Sequence, residues 1–249
     1  MSTVAANSSL LSQRPAFPVQ TYAKLAGVLI LLTFAAGGFG EAYVPSKLIV
    51  ATDAAATMEN VKSFDLMFRL GFAAYLVEAC CDVTLALIFY VLLKPVNRYA
   101  SLLAAFFGLM GTATFASAEL FYFVPTLVLR GSDYLKMFSP DQLNTLALLS
   151  LNLFGLGAVI FTLFYGMGWV LRGYLIFQSG YFPKFLGILT TIGGLAFIVS
   201  NFAVVLAPGY RSDWLLMLMF PGMLVMAVWL IVKGVDLPKW EEKTAGRSL

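Results

Sequence analysis

The chain reads as an all-α bundle of transmembrane helices, with six spans and both termini on the cytoplasmic side. Three observations predict this. Of 249 residues, 60% are hydrophobic and only 12% are charged, against about 25% charged in a typical soluble domain. Mean hydropathy is +0.86. Six apolar runs are each long enough to cross a bilayer, which takes about 17–25 residues. A residue set this apolar leaves too little to build a water-facing surface.

The spans fall near Tyr22–Val44, Leu66–Leu93, Tyr99–Val124, Leu143–Leu171, Phe185–Leu206 and Trp214–Val232. Residues 1–20 form a polar tail, 21–233 the membrane domain and 234–249 a second tail. The first apolar run, Leu25–Gly38, has the length of a signal-peptide core. Its long polar leader and the spans that follow favour an uncleaved helix. Between the first two spans, Asp53 is placed to cap a short helix over "AAATMENV". Before the fourth span, "SPDQ" sets Ser139 as N-cap and Pro140 in the first turn. "SGYFP" before the fifth span is a turn signal.

Orientation follows from Lys and Arg. Arg14, Lys24, Lys94, Arg98, Arg172, Lys184, Lys233, Lys239, Lys243 and Arg247 fall on one side, which is ten of the 16. Lys47, Lys62, Arg69, Arg130, Lys136 and Arg211 fall on the other, which is six. The richer side, with both termini, is expected to be cytoplasmic.

Net charge is +3 and the basic residues are scattered, so no nucleic-acid footprint is present. There is no histidine, which removes His-ligated haem, the usual zinc and copper sites and His proton relays. No metal or cofactor is expected. The two cysteines, Cys80 and Cys81, are adjacent on one helix and read as reduced apolar filler. Nothing nearby would activate either thiol. The aromatics, 15% of the chain, read as interface belts and core filler, with Tyr43, Tyr75, Tyr122 and Trp214 near the mouth of the bundle.

Polar residues inside spans are the informative feature, because a carboxylate at membrane depth costs roughly 2.5–3.5 kcal/mol. Depth is counted from the basic end of each helix at about 1.5 Å per residue. Asp82 is 12 residues from Lys94, roughly 18 Å up; Glu78 is 16 residues up, roughly 24 Å. Asn201 and Glu41 are each 17 residues from their basic ends, roughly 25 Å. Asn152 and Glu119 lie at roughly 30 Å, and Arg69 at the far interface. Ala74, Glu78, Asp82 and Ala86 share an i+4 stripe, and so do Ala104, Gly108, Thr112 and Ala116, continued by Glu119. Small stripes let helices approach closely, which turns the carboxylates toward partners and away from lipid. Two carboxylates one turn apart in a low dielectric do not both ionise easily. The expected site is an outward-opening polar pocket of Asp82, Glu78, Arg69, Glu119, Glu41, Asn152 and Asn201. The rival readings are packing contacts, with Arg69–Glu119 a clamp between two helices.

"GEAYVPSKLIVATDAAATMENV", "FRLGFAAYLVEACCDVTLALIFYVLLKPVNR" and "GYLIFQSGYFPKFLGILTTIGG" resemble, in order and spacing, a family of prokaryotic multipass membrane proteins known as domain of unknown function 4386. The resemblance runs over roughly residues 20–230. It implies a multipass inner-membrane protein and brings no substrate, reaction or cofactor. In that family Asp82 and Arg69 recur, Tyr75 often stands as Asp, and Glu78 is often apolar.

Three functions fit these residues. The first is binding or transport of a small cationic or protonatable ligand, with Asp82 as the deep site and Arg69 with Glu119 as the gate. The second is a non-catalytic accessory or scaffold subunit contacting membrane-protein partners or a second copy of itself. The third is an intramembrane enzyme on a lipid-like substrate with Glu78 or Asp82 as acid/base. No HExxH, GxSxG or aspartate-rich motif supports that last reading.

Overall fold

The computed structural model describes residues 18–207 and 217–246. Every element within them is helical. Five helical segments are long and apolar enough to cross a membrane: Val19–Leu48, Asp65–Leu93, Arg98–Leu129, Pro140–Ser179 and Lys184–Leu206. The beginning of the expected sixth span, with Trp214, lies outside the described residues, as do Arg14, Arg211 and Arg247.

The first segment is α1 (Val19–Gly37), a π-turn over Gly38–Tyr43, and α2 (Val44–Leu48). Pro45 explains the break. In a π ladder each N–H reaches the carbonyl five residues back, as Val44 N–H does to Phe39. Pro45 has no N–H to give Gly40. The Tyr75 hydroxyl takes that place, donating to the Gly40 carbonyl at 2.7 Å. The turn therefore needs a neighbouring helix to complete it, and it swings Glu41 toward that helix.

Next come α3 (Ala54–Ser63), α4 (Asp65–Leu93), α5 (Arg98–Tyr122) and α6 (Val124–Leu129). Asp53 caps α3 as its position predicts, accepting from Ala56 N–H at 2.9 Å. A 3₁₀ turn at Asp133–Met137 leads to α7 (Pro140–Ser179). Ser139 and Gln142 close a reciprocal capping box there. At 40 residues α7 is roughly 60 Å long, about twice a hydrocarbon core. It passes straight through Arg172, where a basic link was expected, and stops at Gly180, whose φ of +79° ends the helix in the left-handed conformation. Then follow α8 (Lys184–Leu206), α9 (Met219–Val232) and α10 (Leu237–Ala245). The α10 axis is bent 93° from that of α9.

Close approach is built on small residues, as lipid-embedded packing requires. The antiparallel α7 and α8 cross at two glycine pairs in matching register. A Cβ on Gly194 would sit 2.8 Å from the Gly166 carbonyl, and one on Gly187 2.6 Å from the Gly173 carbonyl. On α5, Ala104, Gly108 and Thr112 are buried as expected, but Ala116 is exposed and Phe115 buried in its place. Each i+4 step overshoots a helical turn by about 40°, so the inward face moves to Phe115, Glu119 and Tyr122.

An aromatic column fills the core among α4, α5 and α7. Phe68 stacks on Tyr122 at 4.4 Å, Tyr122 meets Tyr75, and the contacts continue through Phe115, Phe161 and Tyr165 to Trp169. Tyr75 and Tyr122 are thus fully buried core residues, neither belt nor mouth. Tyr43 is exposed.

α10 closes the end that carries Lys94, Arg98, Lys184 and Lys233, here the basic end. Trp240 Nε1–H and the Tyr181 hydroxyl both donate to the Leu92 carbonyl at the end of α4. Lys243 Nζ donates to the Gln178 and Ser179 carbonyls at the end of α7. Gln20 holds the α9–α10 link through Lys233 O and Val235 N–H. The segment expected as a tail is a strap that ties the basic ends of α1, α4 and α7.

Candidate functional site

The α4 stripe does face inward. Glu78 is 7% exposed and Asp82 4%. The π-turn brings Glu41 into electrostatic reach of Glu78, although Glu41 itself stays exposed. Gly37 makes room, since a Cβ there would lie 3.2 Å from Glu78 Oε2. That oxygen is buried with no hydrogen-bond partner, and so is Glu119 Oε1 on α5, where Glu119 is 1% exposed.

Asp82 has a partner. The Tyr165 hydroxyl on α7 donates to Asp82 Oδ1 at 2.9 Å. Behind it lies Arg172, 5% exposed and in electrostatic reach of both Asp82 and Tyr165. Its guanidinium stands 5.3 Å from the Phe89 ring centre, a cation–π distance. It occupies the space left by Gly108, where a Cβ would meet Nη2 at 2.7 Å. Arg172 is seven residues above the end of α7, roughly 10 Å into the bundle.

Arg172 therefore does not belong to the cytoplasmic count of basic residues. It is the cation of the site, a role expected of Arg69. Arg69 is half-exposed and pairs with Asp65 one turn away, at 2.7 Å, and not with Glu119. Asn201 is buried, but its amide donates to the Val159 carbonyl and the Thr162 hydroxyl, tying α8 to α7. Asn152 is exposed on α7. Of the seven expected residues the fold gathers Glu41, Glu78, Asp82 and Glu119, adds Tyr165 and Arg172, and leaves Arg69, Asn152 and Asn201 elsewhere.

The result is a line of ionisable groups from Glu119 through Glu41 and Glu78 to Asp82, Tyr165 and Arg172. Four carboxyls face one guanidinium, so the line carries an excess of acceptors. No group of three or more acidic or thiol side chains able to hold a metal occurs among the described residues. A small, mostly apolar cavity of about 20 Å³ lies beside Arg172, bounded also by Tyr165, Trp169 and Thr190 and by Ile30, Leu85, Phe89, Ile176, Met223 and Met226.

An all-helical chain with five or six apolar spans and acidic and basic groups within them is a multipass membrane protein. The family model described as "Domain of unknown function (DUF4386)" matches residues 25–234, and the chain belongs to that family. An uncharacterised protein of Archaeoglobus fulgidus is 29% identical over 156 residues, covering 63% of this chain and 78% of that one. No solved structure matches the chain.

Proposed function

We propose that the protein binds a small cationic or protonatable ligand at the carboxyl groups of Glu41, Glu78 and Glu119, entered from the end opposite α10. Transport or proton-coupled permeation is the mechanism class. One observation carries this reading: Glu78 Oε2 and Glu119 Oε1 are buried acceptors without donors. Buried polar groups are almost always satisfied, and exceptions mark strain, function or an occupant. A cation or a bound proton supplies what these oxygens lack. Exposed Glu41 is the entrance and buried Glu78 the seat. Arg172 continues the polar line toward the basic end, so the carboxyls do not stand alone.

The orientation that fits places the basic end in the cytoplasm and the protein in the inner membrane. Removing Arg172 from the count leaves nine basic residues against six, and the bias survives.

The test is thermal stability of the purified protein in nanodiscs, titrated with sodium, potassium and tetramethylammonium chloride and with a primary amine, for wild type and Glu78→Gln. The expected result is saturable stabilisation by one class of cation, lost in Glu78→Gln, while the variant folds as well as wild type. Equal responses of both proteins to every cation would overturn the reading.

A further inference from the structure

We propose that the small cavity among α1, α4, α7, α8 and α9 is a binding site for one water molecule, held by Trp169, Arg172, Tyr165 and Thr190. Its size fits: a cavity needs about 10–15 Å³ of probe-occupied volume for one water, and this one has about 20 Å³.

Most of its wall is apolar, from Ile30, Leu85, Phe89, Ile176, Met223 and Met226, and its few polar residues are what a single water would use. Trp169 is 7% exposed, and its indole N–H is buried without a hydrogen-bond partner. Indole is a donor only, so it needs an acceptor. Arg172 adds further N–H donors on the same wall. The Tyr165 hydroxyl donates its hydrogen bond to Asp82, and the Thr190 hydroxyl donates to the Leu186 carbonyl at 2.7 Å. Both keep oxygen lone pairs to offer. Two donors and two acceptors around a one-molecule space match the two acceptor and two donor positions of water. Chloride could use the donors but would face the two oxygens. Asp82 already lies in electrostatic reach of Arg172. An apolar occupant would leave all four groups unserved.

The site does not depend on the ligand reading, because it lies beyond Asp82 from Glu41 and Glu78. Water there lets the buried guanidinium keep hydrogen bonds on the side away from Asp82. It extends the polar line toward the basic end.

The experiment is proton–nitrogen NMR of protein carrying ¹⁵N-tryptophan in nanodiscs. The chain has four tryptophans. Trp214→Phe, Trp229→Phe and Trp240→Phe assign three indole signals, and Trp169 follows by elimination, so no variant in the cavity is needed for assignment. The expected result is a hydrogen-bonded Trp169 indole with a cross-peak to water, unchanged when gluconate replaces chloride. Thr190→Val, nearly equal in size, should lose that cross-peak. A Trp169 N–H signal with no water contact in the wild type would overturn the proposal. So would a signal that moves with chloride, which would mean an anion occupies the site, or a cross-peak untouched by Thr190→Val.

Discussion

A guanidinium as deeply buried as Arg172 persists only if an anion and further acceptors are within reach. Asp82 supplies the anion, with the Tyr165 hydroxyl between the two helices' charges. The pair gives a sharp expectation. Asp82→Asn removes the anion in electrostatic reach of Arg172; the two make no direct ion pair, so the loss of stability should fall short of the roughly 3–5 kcal/mol of a broken buried salt bridge. Arg172→Gln alone should do similar harm by stranding Asp82. The double variant Asp82→Asn/Arg172→Gln removes both charges and should recover part of the loss, because a buried charge left without its counter-charge is worse than none. Unfolding in a denaturing detergent series, with all four proteins, measures the coupling. Additive losses would mean that the two groups act separately. Glu78 is different in kind. Its buried oxygen has no donor to lose, so Glu78→Gln should leave stability near that of wild type.

Helix contacts decide where these charges meet. α7 bears Tyr165 and Arg172, and its fit against α8 rests on glycines whose Cβ positions are taken by backbone carbonyls. Gly194→Ala would drive a methyl to 2.8 Å from Gly166 O and 2.8 Å from Val170 N, both backbone atoms that cannot step aside. The expected cost is about 1–3 kcal/mol, with lower thermal stability. Gly155→Ala, with nothing within 4 Å of its added Cβ, is the control on the same helix and should be neutral or slightly stabilising. Equal behaviour of the two would show that the crossing is looser than the glycines imply. Five of the spans, the Asp53 and Ser139 caps and the turn before the fifth span were legible in the sequence, because hydropathy and cap chemistry are local. Arg172 was not. A basic residue near the end of an apolar run reads as an interface anchor, and only the continuation of α7 to Ser179 puts it inside. The π-turn left a trace in three glycines and Pro45, yet its completion by Tyr75 is a contact between residues 35 apart. The cavity depends on the register of α9 against α7, which no single-helix pattern contains.

For the whole molecule the open choice is which way the bundle sits, since a polar line has a direction only relative to the cell. α3, with exposed Glu59, marks one end, and α10, with exposed Glu241, marks the other. At the α10 end Lys94, Arg98, Lys184, Lys233, Lys239 and Lys243 gather within one strap-bound surface, and the charge rule counts short segments of this kind. Single cysteines at these positions, Glu59→Cys and Glu241→Cys, report the sidedness directly. They belong in a Cys80→Ala/Cys81→Ala background, although Cys80 lies on an apolar helix face and Cys81 is buried. In intact cells a membrane-impermeant maleimide should label Glu59→Cys at once and Glu241→Cys only after the membrane is opened. Both tests of orientation must agree, because an odd number of crossings would put α3 and α10 on different relative sides from an even one. Labelling of both sites from outside would contradict the fold, in which α10 is bonded to the ends of α4 and α7 opposite α3. The reverse pattern would invert the molecule and turn the Glu41 entrance toward the cytoplasm. The expected pattern leaves that entrance facing out, with α10 strapped across the inner ends of the two helices that carry Asp82 and Arg172.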